Sequence, residues 1–163
     1  MYAYCLFCET QQCRTIAVTV EKVYHYRCIS PQIIQRKWVK GVAKEEVHNW
    51  LPGYVLVYTE DPIYPRLEIN GIIRWLGDDE LKDTDLAFAK MLLNRNGIFS
   101  SVQIAEVGDR CQISDPMWEG MQGTIVKLDR GRKRCCIEFE FDDLKRQVWV
   151  GYDIVKKKSE DIA

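Results

Sequence analysis

The chain has 163 residues, of which 47% are hydrophobic and 29% charged, as in ordinary soluble globular proteins. No apolar run approaches the ~20 residues of a membrane helix, and the N-terminus lacks a signal peptide's basic stretch and cleavage site, so we expect a cytoplasmic protein without membrane contact. The net charge of −1 excludes a bulk attraction to nucleic acid, and the odd number of seven cysteines favours reduced thiols.

Residues 1–97 predict a mixture of strands and helices. Aromatic and apolar runs bounded by turn residues predict strands at residues 2–8, 26–29, 33–39, 46–50, 54–58 and 72–76. Apolar residues at helical spacing predict helices at residues 9–24, 63–69 and 79–93. Lys40 and Gly41 predict the turn of a hairpin. The uninterrupted apolar run at 54–58 predicts a central strand that is covered on both faces.

A change of pattern near residues 94–101 predicts a domain boundary, because this segment is polar and has no periodicity. We assign residues 1–97 to a first domain, 98–104 to a linker, and 105–163 to a second domain that ends in a charged tail. Short β runs predict a small barrel of about five strands in the second domain. They lie at residues 111–114, 123–128, 134–141 and 145–150.

Three segments resemble the NusG family of transcription elongation factors. Residues 4–10 (YCLFCET) are similar to the opening strand and first helix of the NusG N-terminal domain, and residues 51–57 (LPGYVLV) to its most characteristic stretch. Residues 107–120 and 123–126 resemble a KOW motif. The chain departs from the family at Ala3, Gln11 and Asp115, where tryptophan, glycine and glycine are common, and Asp115 leaves the geometry of the KOW turn open.

The resemblance implies an α+β fold. An NGN-like domain, an antiparallel sheet with flanking helices, would be joined by a short linker to an all-β, SH3-like KOW barrel. The short chain, the helix at 79–93, the brief linker and a basic turn are most similar to LoaP-type antitermination paralogues. The alternative is a general NusG factor whose KOW domain binds a ribosomal protein or a termination factor.

The strand at 54–58 separates two sets of side chains, because alternate residues of a strand point to opposite faces. Tyr54 and Leu56 share one face. The resemblance implies that this face is an open apolar hollow for the clamp helices of the largest RNA polymerase subunit. The candidate polymerase-binding residues are Phe7, Trp50, Leu51, Tyr54, Leu56, Tyr64 and Arg66. The alternative is that the aromatic residues are simply core.

The hairpin around Lys40 carries basic residues beside an aromatic one. Arg36, Lys37, Lys40 and Lys44 surround Trp38 and could reach polymerase or DNA. The alternative is a solvated face that is balanced by the acidic residues 45 and 46.

Residues 127–134 (KLDRGRKR) combine five basic residues with one acid at a predicted turn. The planar guanidinium of arginine suits phosphate and guanine edges, so we expect this turn to bind an RNA hairpin. The candidate nucleic-acid-binding residues are Lys127, Arg130, Arg132, Lys133, Arg134, Lys145, Arg146 and Trp118, the last by stacking on a base. The alternatives are pairing of these arginines with Asp142 and Asp143, or a protein partner.

Four side chains superficially offer a zinc site: Cys5, Cys8, His25 and Cys28. Because Cys5 and Cys8 fall on opposite faces of one strand, they suit a core better than a tetrahedral site, and a zinc or thiol protein is the weakest interpretation. No nucleophile arrangement or glycine-rich phosphate loop occurs. We therefore expect a monomer without enzymatic activity, cofactor or metal.

Overall fold

The computed structural model describes residues 1–64, 66–76 and 79–155. The charged tail expected at residues 156–163 lies outside them. The described strands are β1 Tyr2–Cys8, β2 Arg27–Ile29, β3 Gln32–Val39, β4 Val42–Asn49, β5 Tyr54–Thr59, β6 Ile72–Trp75, β7 Ile98–Phe99, β8 Ser101–Val107, β9 Arg110–Ile113, β10 Thr124–Asp129, β11 Arg134–Phe141 and β12 Leu144–Ile154. The described helices are α1 Cys13–Thr19, α2 Asp83–Asn94, a π-helix Val20–Tyr24, and 3₁₀ turns at Thr10–Gln12 and Pro116–Trp118.

The strands form three sheets. The first has the order β2-β5-β1-β6, the second β4-β3-β7, and the third β10-β11-β12-β8-β9. In the first sheet β1 runs antiparallel to β5, with Tyr4 opposite Val57 and Cys5 opposite Leu56. The third sheet is a nearly closed barrel, in which β12 and β8 run parallel.

The predicted α+β fold class is wrong, because the molecule is mostly β, with 49% strand and 20% helix. The predicted helix at 9–24 has only seven α-helical residues before it widens into the π-helix, and His25 ends it at φ 61°. None of the described residues between 63 and 69 is helical. Ile63 and Leu67 are buried there on an extended segment, and the Tyr4 hydroxyl accepts a 3.0 Å hydrogen bond from the Ile63 amide. The four-residue spacing of Ile63 and Leu67 therefore does not mark a helical turn, because each side chain is buried separately on the extended segment.

Two apolar cores lie on the two faces of the first sheet. One face packs Leu6 and Val55 against Ile16 and Val20 of the helical segment after β1. Burying each such side chain contributes about 1.5–3 kcal/mol. The other face joins a larger core that continues through α2 into the interior of the barrel, as far as Phe141. The N- and C-terminal parts of the chain therefore share one core.

The segment predicted as a linker, residues 98–104, contributes strands to two sheets. Ile98 and Phe99 pair with β3, and from Ser101 onward β8 pairs with β12. Asp115, the departure from the KOW pattern, is buried close by and forms a 3.0 Å ion pair with Arg95. This pair fixes the end of α2 to the turn before the short helix that holds Trp118. Among the described residues no helix has the length and apolarity to cross a membrane.

Candidate functional site

A tight turn after β4 positions the aromatic residues at the start of β5. Leu51 adopts φ 56° and Gly53 φ 94°, a region that glycine tolerates best. A Cβ on Gly53 would lie 3.0 Å from the Phe7 ring and 3.2 Å from the Cys8 carbonyl oxygen, and the Cys8 amide donates a 2.7 Å hydrogen bond to the Gly53 carbonyl. The close approach of these two backbones places Phe7 and Tyr54 side by side, with ring centroids 5.1 Å apart.

The predicted separation of the β5 side chains is confirmed. Tyr54, Leu56 and Tyr58 belong to the core shared with the barrel, whereas Val55 and Val57 face the helical segment after β1. The run is thus covered on both faces. The Tyr58 hydroxyl donates a 2.5 Å hydrogen bond to the Ala89 carbonyl, which fixes α2 against this face.

The open hollow expected on the Tyr54 face is absent, because the barrel strand β11 fills it. Tyr54 is 7% exposed and Leu56 is fully buried. Trp50 contacts Phe139 at a centroid distance of 5.7 Å, and Tyr54 contacts Phe141 at 5.5 Å. The candidate polymerase-binding face is therefore closed by the chain's own C-terminal strands.

Further aromatic rings complete the cover. Phe88 of α2 lies 4.5 Å from Phe141 and 5.7 Å from Phe139, and Trp118 lies 5.8 Å from Phe139. Aromatic pairs at these distances contribute about 0.5–1.5 kcal/mol each beyond the burial of their area. The sequence prediction did not include Phe88, Phe139 or Phe141. The signal of Phe139 and Phe141 was the alternation of large apolar residues along β11, and that of Phe88 was its place on the apolar side of the helix predicted at 79–93. Both signals mark a buried face but not what covers it.

A group of polar residues borders this contact, and we call it the polar rim: Tyr54, Arg74, Asp85, Asp142 and Arg146. The Tyr54 hydroxyl donates a 2.9 Å hydrogen bond to Asp142 and accepts one of 2.9 Å from Arg146. Arg74 forms an ion pair with Asp142, and the Asp142 amide donates to Asp85 at 3.3 Å. The barrel is therefore attached by hydrogen bonds and charges at the edge of an apolar contact.

The electrostatics of the polar rim follow from burial and proximity. Burial raises the pKa of Tyr54, and its hydrogen bond to Asp142 raises this pKa further, against the opposing effect of Arg146. Burial also raises the pKa of the Asp85 carboxyl. The hydrogen bond to Asp142 raises the pKa of Arg74. Arg146 additionally lies over the Tyr54 ring at 5.3 Å, so one guanidinium serves both a hydrogen bond and a cation–π contact.

The remaining candidate polymerase-binding residues lie elsewhere. Tyr64 is 94% exposed, and the Arg66 guanidinium lies 5.9 Å above the Trp75 ring. Residues 66–70 and 72–75 line an open cleft of about 790 Å³. Leu51 is half-buried beside the shared core. Tyr64 and Arg66 are thus accessible, whereas the residues on β5 are not.

The basic turn between β10 and β11 is exposed at the end of the barrel. Lys127, Arg130, Arg132 and Lys133 are exposed. Arg130 forms a 2.9 Å ion pair with Glu106, and its pKa is raised by that carboxylate. The amide of Arg132 donates a 3.1 Å hydrogen bond to Asp129, which shapes the turn. Three basic side chains, at positions 130, 132 and 133, thus project from one short turn.

The structure does not place the other candidate nucleic-acid-binding residues on this surface. Arg134 is half-buried, over the Trp149 ring at 4.7 Å and 3.6 Å from Asp129. Lys145 and Arg146 lie on β12 opposite Glu140 and Phe139, near the far end of β11 and roughly 17–20 Å from Arg134 at about 3.4 Å per residue. Lys145 is exposed there, but it does not extend the basic turn.

Two of these predictions were wrong in this conformation. Trp118 is only 3% exposed, because its ring packs among Phe99 and Phe139, so it cannot stack on a base. Arg146 binds Tyr54 and the Phe141 carbonyl instead of projecting outward. The expected competitor Asp142 pairs with Arg74 and not with the basic turn.

The cysteines lie mostly in the cores. Cys5 faces the barrel side of the first sheet and Cys8 the helical side, as strand alternation predicts. Burial raises the pKa of Cys5, and it raises the pKa of Cys8 and Cys28 to about 12. Within the part of the chain that the structure describes, no group of three or more potential metal ligands occurs.

A comparison with models of known protein families gives no match for this chain, and a comparison with curated proteins gives none either.

Proposed function

We propose that this protein is a cytoplasmic, monomeric transcription elongation factor with antitermination activity. It binds the clamp helices of RNA polymerase through the Tyr54 face of β5 and an RNA hairpin through the basic turn at residues 130–133. The observation that carries the proposal is the face itself. The segment that resembles the NusG N-terminal domain carries an aromatic surface whose cover is the barrel strand β11, bordered by the polar rim.

The chemistry of the face supports a helical partner. Aromatic side chains on a strand provide a large apolar area that accepts the apolar side of an amphipathic helix. Phe139 and Phe141 occupy that area in the closed state. A polymerase helix that presents apolar side chains would replace them. Because polymerase can bind only the open state, it shifts the population toward that state by its differential affinity.

The arrangement of the polar rim supports such an exchange. Hydrogen bonds and ion pairs between Tyr54, Asp142, Arg74 and Arg146 lie at the border of the contact, where water can replace them on opening. Opening also exposes the apolar contacts of Trp50 and Tyr54 with Phe139 and Phe141, so the polymerase helix has to cover the area that the barrel releases.

RNA binding rests on the exposed turn. Arg130 and Arg132 can each present a planar fork to phosphate or guanine, and Lys133 adds a third charge. Glu106 competes for Arg130 through its ion pair, so RNA would replace a carboxylate with a phosphate at that position. The turn lies outside the closed contact, so RNA binding does not require opening.

Co-purification with core RNA polymerase tests the proposal. Asp142→Asn keeps the backbone preference of this turn, where φ is 55°, but removes the charge that holds Arg74. We expect this variant to retain more polymerase than the wild type. Leu51→Asn suits the φ of 56° and removes an apolar group beside the face, so it should retain less. Lys22→Gln, exposed on the helical segment that covers the other face of the first sheet, is the control and should not differ.

The proposal fails if polymerase is retained by none of these proteins, or equally by all of them. A titration with an RNA hairpin, beside one with purified ribosomal or termination proteins, determines which partner the basic turn binds. RNA binding with no dependence on residues 130–133 would contradict that part of the proposal.

A further inference from the structure

The β3–β4 hairpin extends from the body of the protein as a two-stranded ribbon. Every residue from 35 to 45 is exposed, and we call this segment the arm. Its strands pair in continuous register up to Val39 opposite Val42. Lys40 and Gly41 form a two-residue turn with φ values of 52° and 77°, as in the type I′ turns that match strand twist. The arm is thus a regular ribbon in which the backbone groups between the two strands pair with one another.

The arm carries a net positive charge. Residues 35–45 contain four basic residues and one acid, Glu45. Strand alternation places Arg36 on one face with Glu45 opposite it, Lys37 and Lys44 on the other face, and Lys40 at the tip. At the base of the arm, Glu46 contacts Lys37 at 3.6 Å and His48 at 3.0 Å.

One cross-strand pair favours an anionic partner. Lys37 and Lys44 lie directly opposite each other in the register. Like charges in this position destabilise a hairpin, and an anion between or beside them reverses that effect. Glu46 contacts Lys37 at 3.6 Å and so offsets part of this repulsion, and a phosphate beside Lys44 would offset the remainder.

The arm also exposes apolar side chains. Of the five tryptophans, Trp38 alone is exposed, at 56%, and it lies on the same face as Arg36. Val39 and Val42 are exposed on the other face near the tip. Exposed aromatic residues beside cations are typical of surfaces that contact bases as well as phosphates.

We propose that the arm binds duplex DNA by entering the major groove. That groove is about 12 Å wide and admits a two-stranded β-ribbon, and its two walls are lined with phosphates. Arg36 on one face and Lys37 and Lys44 on the other can each reach a phosphate wall, where phosphate competes with Glu45 for Arg36. Trp38 near the end can contact base edges or thymine methyl groups. A single strand offers phosphates to one face only, and the major groove of duplex RNA is too narrow. This site is separate from the basic turn of the barrel.

Binding of the full chain to a labelled 20-base-pair duplex of mixed sequence tests this site. The triple variant Arg36→Gln, Lys40→Asn and Lys44→Gln removes three charges, and asparagine suits the turn. We expect its affinity to fall about tenfold or more, and the slope of log K against log salt to become shallower by about 2.7, since each phosphate contact contributes about 0.9. Circular dichroism should be unchanged, because the three side chains are exposed.

The matched control is a triple variant of exposed basic residues outside both proposed nucleic-acid sites: Arg14→Gln, Lys22→Gln and Lys90→Gln. It removes the same charge elsewhere and should keep the duplex affinity and slope of the wild type. Duplex should also protect Trp38 from acrylamide quenching, and Trp38→Ala should abolish that protection. Equal duplex binding by the arm variant and the wild type would overturn the proposal. So would arm-dependent binding only to a single strand of the same sequence or to anionic phosphatidylserine vesicles.

Discussion

The hydroxyl of Tyr54 donates a 2.9 Å hydrogen bond to Asp142, 88 residues further along the chain. Tyr54 begins the strand that resembles the NusG polymerase-binding segment, and Asp142 follows β11 of the barrel. The bond therefore joins the proposed polymerase-binding face to the strand that covers it. Arg146 donates to the same hydroxyl, so the tyrosine is both donor and acceptor at the border of the contact.

Removing the charge of Asp142 should weaken the closed state. We expect Asp142→Asn to lower the free energy of unfolding by about 1–2 kcal/mol, because the Arg74 ion pair is lost and the Tyr54 bond becomes neutral. Because the Arg74 side chain is partly exposed, solvent screens its ion pair, and the loss of unfolding free energy should lie near the lower end of this range. Urea titration measures it.

Asp143→Asn is the matched control, since it occupies the same turn with φ 58° and is exposed. Its stability should stay within about 0.5 kcal/mol of the wild type. Equal losses in the two variants would mean that the turn, and not the Asp142 contacts, determines the effect.

Sequence patterns predicted most strands because their signals are local. The run at 54–58 has the apolar residues of a strand covered on both faces, and the Lys40–Gly41 turn has the positive φ values that close a hairpin. The predicted helix at 63–69 was wrong because Ile63 and Leu67 are buried separately on an extended segment, and their spacing is the same as that of one helical turn. Local spacing cannot distinguish these cases, since the Tyr4 hydroxyl that holds Ile63 is distant in sequence.

The accessibility of the candidate site could not be predicted, for a related reason. Alternation correctly assigned Tyr54 and Leu56 to one face, but whether that face is open depends on where β11 packs. The contact of Trp50 with Phe139 joins residues that no local pattern relates. Trp118 likewise has a sequence context typical of an exposed turn and yet lies inside the core.

RNA binding should depend on the outer part of the basic turn. We expect Arg130→Ala combined with Arg132→Ala to weaken binding to an RNA hairpin and to make the salt slope shallower by about 1.4–1.8, since each lost phosphate contact contributes about 0.7–0.9. Electrophoretic mobility shifts at several salt concentrations measure both effects.

Arg134 provides the comparison for this turn. It packs over Trp149 and lies near Asp129, so Arg134→Ala should reduce stability more than it changes the salt slope. If Arg134→Ala removed RNA binding and the outer pair did not, the assignment of the turn would be wrong.

The buried thiols predict a loss of stability at alkaline pH. Burial raises the pKa of Cys8 and Cys28 to about 12 and that of Cys135 to about 11, from 9.0. Between pH 9 and these values the folded chain holds thiol protons that the unfolded chain releases. The contribution is therefore fully present below about pH 9 and decreases as pH rises.

Urea midpoints measured under reducing conditions from pH 7 to 10.5 check this dependence. Tyrosines and lysines titrate in the same range, so the comparison that isolates the thiols is with Cys8→Ala and Cys135→Ala. Each variant should lose less stability between pH 9 and 10.5 than the wild type does. Identical losses would exclude the thiols as the cause.

Two glycines separate the effect of crowding from the effect of backbone strain. Gly41 has φ 77° and open space around its Cα, so Gly41→Ala should cost about 1–2 kcal/mol, from the left-handed conformation alone. Gly53 has φ 94°, and a Cβ there would meet the Phe7 ring at 3.0 Å and the Cys8 carbonyl at 3.2 Å. Because the carbonyl belongs to a central strand and cannot move cheaply, Gly53→Ala should cost at least about 1 kcal/mol more. The shift of Phe7 should also disturb its contact with Tyr54, so that this variant alone changes the near-ultraviolet circular dichroism of the aromatic core. Equal destabilisation by the two substitutions would show that the turn before β5 is less tightly packed than its distances indicate.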